Sequence, residues 1–372
     1  METTRKGGAA RCEAPMPQRL ANMDALRVLA MCLIVMQHTL YHGGMMAAAE
    51  QTPGNAAFYE VWFFYALASC GVDVFVLLSG YFLAKQAFRL KRIFLLAVQV
   101  FFYSAGICLI FALTGRIALT PGALVENLLP LSTRQYWFLT AYFGLALLSP
   151  FLNRCLAHLN RRQHGLLCLL LVFMAGARPG AALLEDRFST GGETGALWMI
   201  CLYAVGAWFR LYYRGGAGKL RLLAGYFGCG AAVALIRFAL LQSGSARNPY
   251  DFVRYHTLLI FLEALCLFAL FLKVPERFRG AAAFRVLGPA ALGVYLLHDN
   301  RYLRGMLWGL VQPAQWLGTP WFAAYLPLCA AAVFLCCAAV ELLRARLFSP
   351  LTHSAALQNI CDKIEKRLGL LL

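Results

Sequence analysis

Two side chains with reactive chemistry sit inside an otherwise apolar stretch, NMDALRVLAMCLIVMQHTLYH (22 to 42). Arg27 and His38 are eleven residues apart. Eleven helical steps of about 100° close nearly three turns, so both project from one face of a helix, ~16 Å apart along its axis. Ionisable groups within a bilayer cost roughly 2.5 to 3.5 kcal/mol each on insertion scales and need a partner or a task. One group then lies near a membrane surface and the other about halfway through the hydrocarbon, which suits a ligand lying along the helix. On position alone His38 reads first as a hydrogen-bonded core histidine and otherwise as a functional group, and Arg27 first as a side chain snorkelling to the interface.

Further candidates follow along the chain. Asn22 and Asp24 precede or open the helix and read as an N-cap and a first-turn acid, with Asp24 able to pair with Arg27 at i+3. Asp73 lies near one end of the second apolar run, where a carboxylate needs a partner; orienting His38 and contacting a substrate are both open to it. Gly71, Ser79 and Gly80 suit close helix contact. Arg89 and Arg92 share a face if the third helix begins early, leaving Lys91 off it; a topology-setting cluster is the plain alternative. His298 ends the run ALGVYLLH and is followed by Asp299, Asn300 and Arg301. It reads as an interfacial cap or as a wall of a substrate site. Tyr136 and Trp137 read as interfacial belt residues.

The elements that must position these groups are membrane helices. The chain is 61% hydrophobic and 14% charged, against about a quarter charged in soluble domains. Apolar runs predict an all-α, polytopic bundle of about ten spans: 24–42, 58–83, 93–113, 136–152, 164–178, 194–213, 220–241, 255–273, 286–308 and 321–343. With the amino terminus inside, 24 of the 34 Lys and Arg residues fall in internal segments and 8 in external ones. This split follows the positive-inside rule and places both termini in the cytoplasm. It also accounts for the net charge of +17 as topology, and no nucleic-acid partner is expected. RPGAALLEDRFSTGGE, between 178 and 194, reads as an external loop.

Residues 1–21 form a basic cytoplasmic segment without a cleavable signal, 22–345 the transmembrane domain, and 346–372 a cytoplasmic tail. In the tail, Leu357, Ile360, Ile364 and Leu368 oppose Lys363, Lys366 and Arg367, as in an amphipathic helix on the inner leaflet. Most of the thirteen cysteines lie inside apolar runs without CxxC spacing and read as small core residues. No metal site is expected.

The Arg27-x10-His38 spacing, preceded by Asn22-Met-Asp24, resembles the opening motif of the membrane acyltransferase family 3. GVDVFVLLSGYFLAK (71 to 85), the Arg-x-x-Arg of FRLKR (88 to 92), YWFLTAYFGLALLSPFLN (136 to 153) and GVYLLHDN (293 to 300) are similar to that family's pattern in the same order, so the resemblance spans most of 20 to 345. It implies an integral membrane O-acyltransferase that moves an acyl group, acetyl in the first instance, from cytoplasmic acetyl-CoA or another acyl-CoA to a hydroxyl of a cell-surface glycan or glycolipid. Lipid bilayer, acyl-CoA and that envelope acceptor are the expected partners, and the plasma or inner membrane the expected location.

By the same resemblance His38 is the base and, with Arg27, the catalytic motif. Arg89 and Arg92 would hold the CoA phosphates, since guanidinium forks match phosphate oxygens. Asp73 and His298 are the expected acceptor contacts. Glu263, in the eighth span, departs from the family pattern. A transporter built on the same bundle is the alternative, because intramembrane charges also mark transport paths.

Overall fold

A computed structural model of the chain describes residues 20–133, 135–176, 194–245 and 248–369, and among them every regular element is helical. In chain order the first five helices are α1 (Ala21–His42), α2 (Met45–Ala49), α3 (Ala56–Ser69), α4 (Gly71–Leu83) and α5 (Leu90–Leu113). Next come α6 (Pro121–Leu128), α7 (Trp137–Ala157), α8 (Arg161–Ala175), α9 (Ala196–Tyr212), α10 (Lys219–Gln242) and α11 (Leu258–Leu272). The chain continues through α12 (Ala281–Leu287), α13 (Ala291–His298), α14 (Leu303–Val311), α15 (Phe322–Leu347), α16 (Ser349–Thr352) and α17 (Ala355–Arg367).

Among the described residues seven stretches are long and apolar enough to cross a bilayer: α1, α3 with α4, α5, α7, α10, α12 with α13, and α15. The expected fifth, sixth and eighth spans are the shorter helices α8, α9 and α11, of 15, 17 and 15 residues. At 1.5 Å per residue these reach only ~22 to 26 Å, short of a ~30 Å hydrocarbon core. The ninth span differs from expectation. It ends at His298 rather than continuing to 308, because the Asn300 side chain accepts from the backbone N–H groups of Tyr302 (3.0 Å) and Leu303 (3.4 Å) and starts α14 afresh. The loop expected at 178–194 lies almost wholly outside the described residues, as does most of the segment 1–21.

α1 is the enclosed centre of the bundle and packs against α3, α4, α11, α12, α13 and α15. Its start also differs from expectation: the helix begins at Ala21, so Asn22 lies inside the first turn and is no cap. Asn22 instead donates from Nδ2 to the carbonyls of Phe271 (3.2 Å) and Val274 (3.1 Å), tying α1 to the end of α11. α4 and α9 meet at glycines from both sides. A Cβ at Gly80 would collide with the Tyr203 carbonyl, and one at Gly206 with the Leu77 carbonyl. This is the backbone approach that small residues permit between membrane helices, and it fixes α4 beside the cavity described below. The described cysteines are all free; Cys70, Cys108, Cys168, Cys201 and Cys329 are buried, whereas Cys336, expected in the core, is exposed.

The tail helix α17 is capped by the Ser354 side chain, which accepts from the Leu357 N–H at 3.2 Å. Cys361 and Glu365 form its buried side, while Ile360, Ile364 and Leu368 stay exposed. An apolar row left uncovered by protein is what a leaflet-resting helix presents.

Candidate active site

α1 runs unbroken from Ala21 to His42, so Arg27 and His38 keep the single face and the ~16 Å axial spacing that helical geometry gives them. Both line one cavity of about 380 Å³. Its walls are mostly apolar and come from α1, α4, α5, α7 and the α12–α13 region, with Ser79, Tyr142, Trp137 and Tyr255 as polar or amphipathic contributors. A second cavity, of about 460 Å³, is lined by Arg89 and Arg92, with Gln86, Asn153, Arg344 and Phe348. The two share Leu83, Leu96, Tyr142 and Leu292 as walls, so one begins where the other ends.

At the arginine end, Arg92 donates to the Gln86 amide oxygen at 2.5 Å and has no carboxylate within ion-pair distance among the described residues. Arg89 has Asp362 of the tail helix at 3.8 Å, a loose contact. Arg344 is different: both its Nε (2.8 Å) and Nη2 (2.7 Å) donate to Glu341, a fork already occupied. Glu341 also accepts from Gln99 (3.1 Å) and Tyr103 (2.7 Å). The cavity therefore holds one arginine with no carboxylate in ion-pair range among the described residues, a second only loosely paired and a third that is neutralised. Arg27, further in, donates to Asp24 at 2.5 Å and lies 5.8 Å from the centre of the Phe82 ring. The i+3 pairing expected for Asp24 is present.

At the other end His38 Nδ1 lies 2.9 Å from His298 Nε2, a contact between residues 260 apart in the chain. His298 Nδ1 lies 2.7 Å from the Val294 carbonyl one turn earlier in α13. Asp299 Oδ1 stands 3.8 Å from His38 Nδ1, 3.9 Å from His42 Nε2 and 3.3 Å from Arg304 Nη1. His38, His42 and Asp299 thus bring three potential ligand atoms within 4.8 Å of one another, a spacing a metal ion could use. The Arg304 guanidinium, 3.5 Å from His42 Nε2 as well, sets a fixed positive charge against two of those three groups and disfavours a cation there.

The sequence-predicted residues fall into two sets. His38 and Arg27 share one cavity, Arg89 and Arg92 its neighbour, and His298 touches His38. Asp73 stands apart: it is fully enclosed, accepts from Trp198 Nε1 at 3.0 Å, and lines neither cavity. His298 is 1% exposed and lines neither cavity. Arg27 is three turns from His38, too far along the helix to reach the atoms that His38 reaches. Glu263 is fully enclosed on α11 with neither oxygen hydrogen-bonded among the described residues, and nothing in the structure explains it.

Tyr136 and Trp137 are not belt residues. Tyr136 is buried, donates to the Leu296 carbonyl (3.1 Å) and accepts from Asn300 Nδ2 (2.8 Å). Trp137 lines the His38 cavity, stacked on Tyr255 at 5.7 Å. Sequence reading also missed His42, Tyr142 and Arg304. Only His42 carried a signal, its i+4 spacing from His38.

A helical bundle with several stretches long and apolar enough to cross a bilayer, and with an imidazole and arginines lining its cavities, defines a multi-pass membrane protein. The acyltransferase-3 family, described as an acyltransferase domain, matches residues 20–341. The chain belongs to this family and is an acyltransferase of the kind that transfers groups other than aminoacyl groups. Comparison with curated proteins and with solved structures returns no match.

Proposed function

We propose that the protein is an O-acyltransferase of the plasma or inner membrane, with both termini cytoplasmic. It takes an acyl group, acetyl first among them, from cytoplasmic acyl-CoA and delivers it to a hydroxyl of a cell-surface glycan or glycolipid. The single observation that carries this reading is the shared wall between the two cavities, which sets an arginine-rich mouth and a histidine at opposite ends of one largely apolar path. CoA has that polarity: phosphates at one end, an uncharged arm, and the thioester at the far end. Arg89 and Arg92 take the phosphates, Arg27 contacts the arm, and the thioester reaches His38.

His38 then removes the proton of the acceptor hydroxyl as its oxygen attacks the thioester carbonyl. The carbon–oxygen bond forms, the tetrahedral species collapses, the carbon–sulfur bond breaks, and the sulfur leaves with the proton returned from the imidazolium. Products are an ester and free CoA, with atoms and charge balanced. Asp73, sealed behind Trp198, is given no contact with the acceptor in this scheme. Nothing in the family match favours the transporter alternative. The test is CoA thiol release from acetyl-CoA by the detergent-purified protein against a panel of glycans. Release that depends on a glycan and on His38 is expected, and flux of a small solute without thioester loss would overturn the reading.

A further inference from the structure

The hydrogen-bond inventory around the two histidines determines where their protons sit. His298 Nδ1 is 2.7 Å from the Val294 carbonyl, which is only an acceptor, so that nitrogen must carry the ring proton. Two lone pairs facing each other at that distance would repel. With one proton per ring, His298 Nε2 is then a bare acceptor. His38 Nδ1, 2.9 Å away, must be the donor. The remaining nitrogen of His38, Nε2, is left with its lone pair and has no hydrogen-bond partner among the described residues. His38 lines the cavity and His298 does not. The chain of acceptors, from backbone carbonyl to His298 to His38, thus ends in a lone pair on the cavity-lining histidine.

We propose that His298 is the positioning residue of this acyltransferase: it locks His38 in the tautomer whose Nε2 takes the acceptor proton. The inference rests on the reading of His38 as the base and assigns His298 a task other than substrate contact. When His38 Nε2 gains a proton, its Nδ1–H keeps the same bond to His298, so no hydrogen has to move and no partner is lost. Asp299, 3.8 Å from His38 Nδ1, supplies the opposite charge. This is the logic by which an orienting group holds a general base in one tautomer, performed here by a second imidazole anchored on its own helix. His298 touches no reacting atom, and its loss acts through His38.

The experiment compares His298→Leu with His298→Gln in the purified full-length protein. It reads CoA release from acetyl-CoA with methyl glucoside as the probe hydroxyl and water as the competing acceptor. Glutamine presents an amide oxygen near the place of Nε2 and can accept the His38 proton; leucine cannot. His298→Leu is expected to lower kcat by about 10²-fold with the KM for acetyl-CoA within about twofold, and His298→Gln to recover to within about tenfold of the parent. His298→Met, unbranched and apolar, replaces the leucine variant if that one fails to insert. Parental kcat in the apolar variant overturns the proposal, and so does an inserted glutamine variant as slow as the apolar one. His38→Gln is measured alongside. If it retains parental turnover, the reading of His38 as base falls; if it is inactive while the apolar His298 variant is not, only the positioning role falls.

Discussion

Glu365 Oε1 accepts the backbone N–H of Leu90 at 2.5 Å, joining residues 275 apart in the chain. Leu90 opens α5, where the first N–H groups have no partner within the helix and the dipole favours a negative charge. The tail helix therefore caps the very turn that follows Arg89 and carries Arg92. Lys91 adds a weaker tie, from Nζ to the Ser354 carbonyl at 3.4 Å.

Removing that cap should loosen the tail. Glu365→Ala is expected to cost about 1 to 2 kcal/mol of docking, by analogy with other charged caps. Limited proteolysis near His353 should accelerate, with a modest rise in the KM for acyl-CoA. Unchanged cleavage would show that α17 is held by other contacts.

Arg92 lacks a carboxylate partner among the described residues, so it is the arginine whose charge is most available to a phosphate. Arg92→Ala should weaken acyl-CoA binding by about 1.5 to 3 kcal/mol, roughly 10- to 150-fold, with little change in kcat. Steady-state kinetics with varied acetyl-CoA measures this directly. An unaltered KM in a normally inserted variant removes Arg92 from the donor site.

His38→Ala should reduce transfer by roughly 10² to 10⁴ while leaving acyl-CoA binding near parental. His38→Gln is the sharper variant, since it retains hydrogen bonding but takes no proton near neutral pH. A stable glutamine variant that turns over at the parental rate would make His38 structural.

Topology is checked with single reporter cysteines in a cysteine-depleted background. Gln51→Cys, in the exposed turn after α2, should react with an impermeant reagent on intact cells. His353→Cys, between α16 and α17, should react only after lysis. The reverse pattern would invert the assigned orientation.

Much of this architecture was legible in sequence, and the exceptions share a cause. The common face of Arg27 and His38 follows from helical periodicity alone, as does the Asp24–Arg27 pair. Apolar content alone makes the ninth span too long because Leu303–Val311 is itself largely apolar, and only the Asn300 side chain turning back on Tyr302 and Leu303 separates it from the helix before it. Sequence alone puts Tyr136 at the interface because composition gives the depth of an aromatic residue in a bilayer but not which side of its helix faces protein. The His38–His298 contact spans two distant helices, and no local pattern encodes such a meeting. His42, one turn beyond His38, carries its signal in the i+4 spacing alone.

Tyr142 and three aliphatic side chains form the partition between the two cavities. An ion crossing that partition would shed its water against groups unable to replace it, at a cost of many kcal/mol. An uncharged thioester arm meets no such barrier. On the proposed reading, the bundle would admit an acyl arm to its interior while remaining an electrical insulator, and a cell could hold many copies of it without draining its membrane potential.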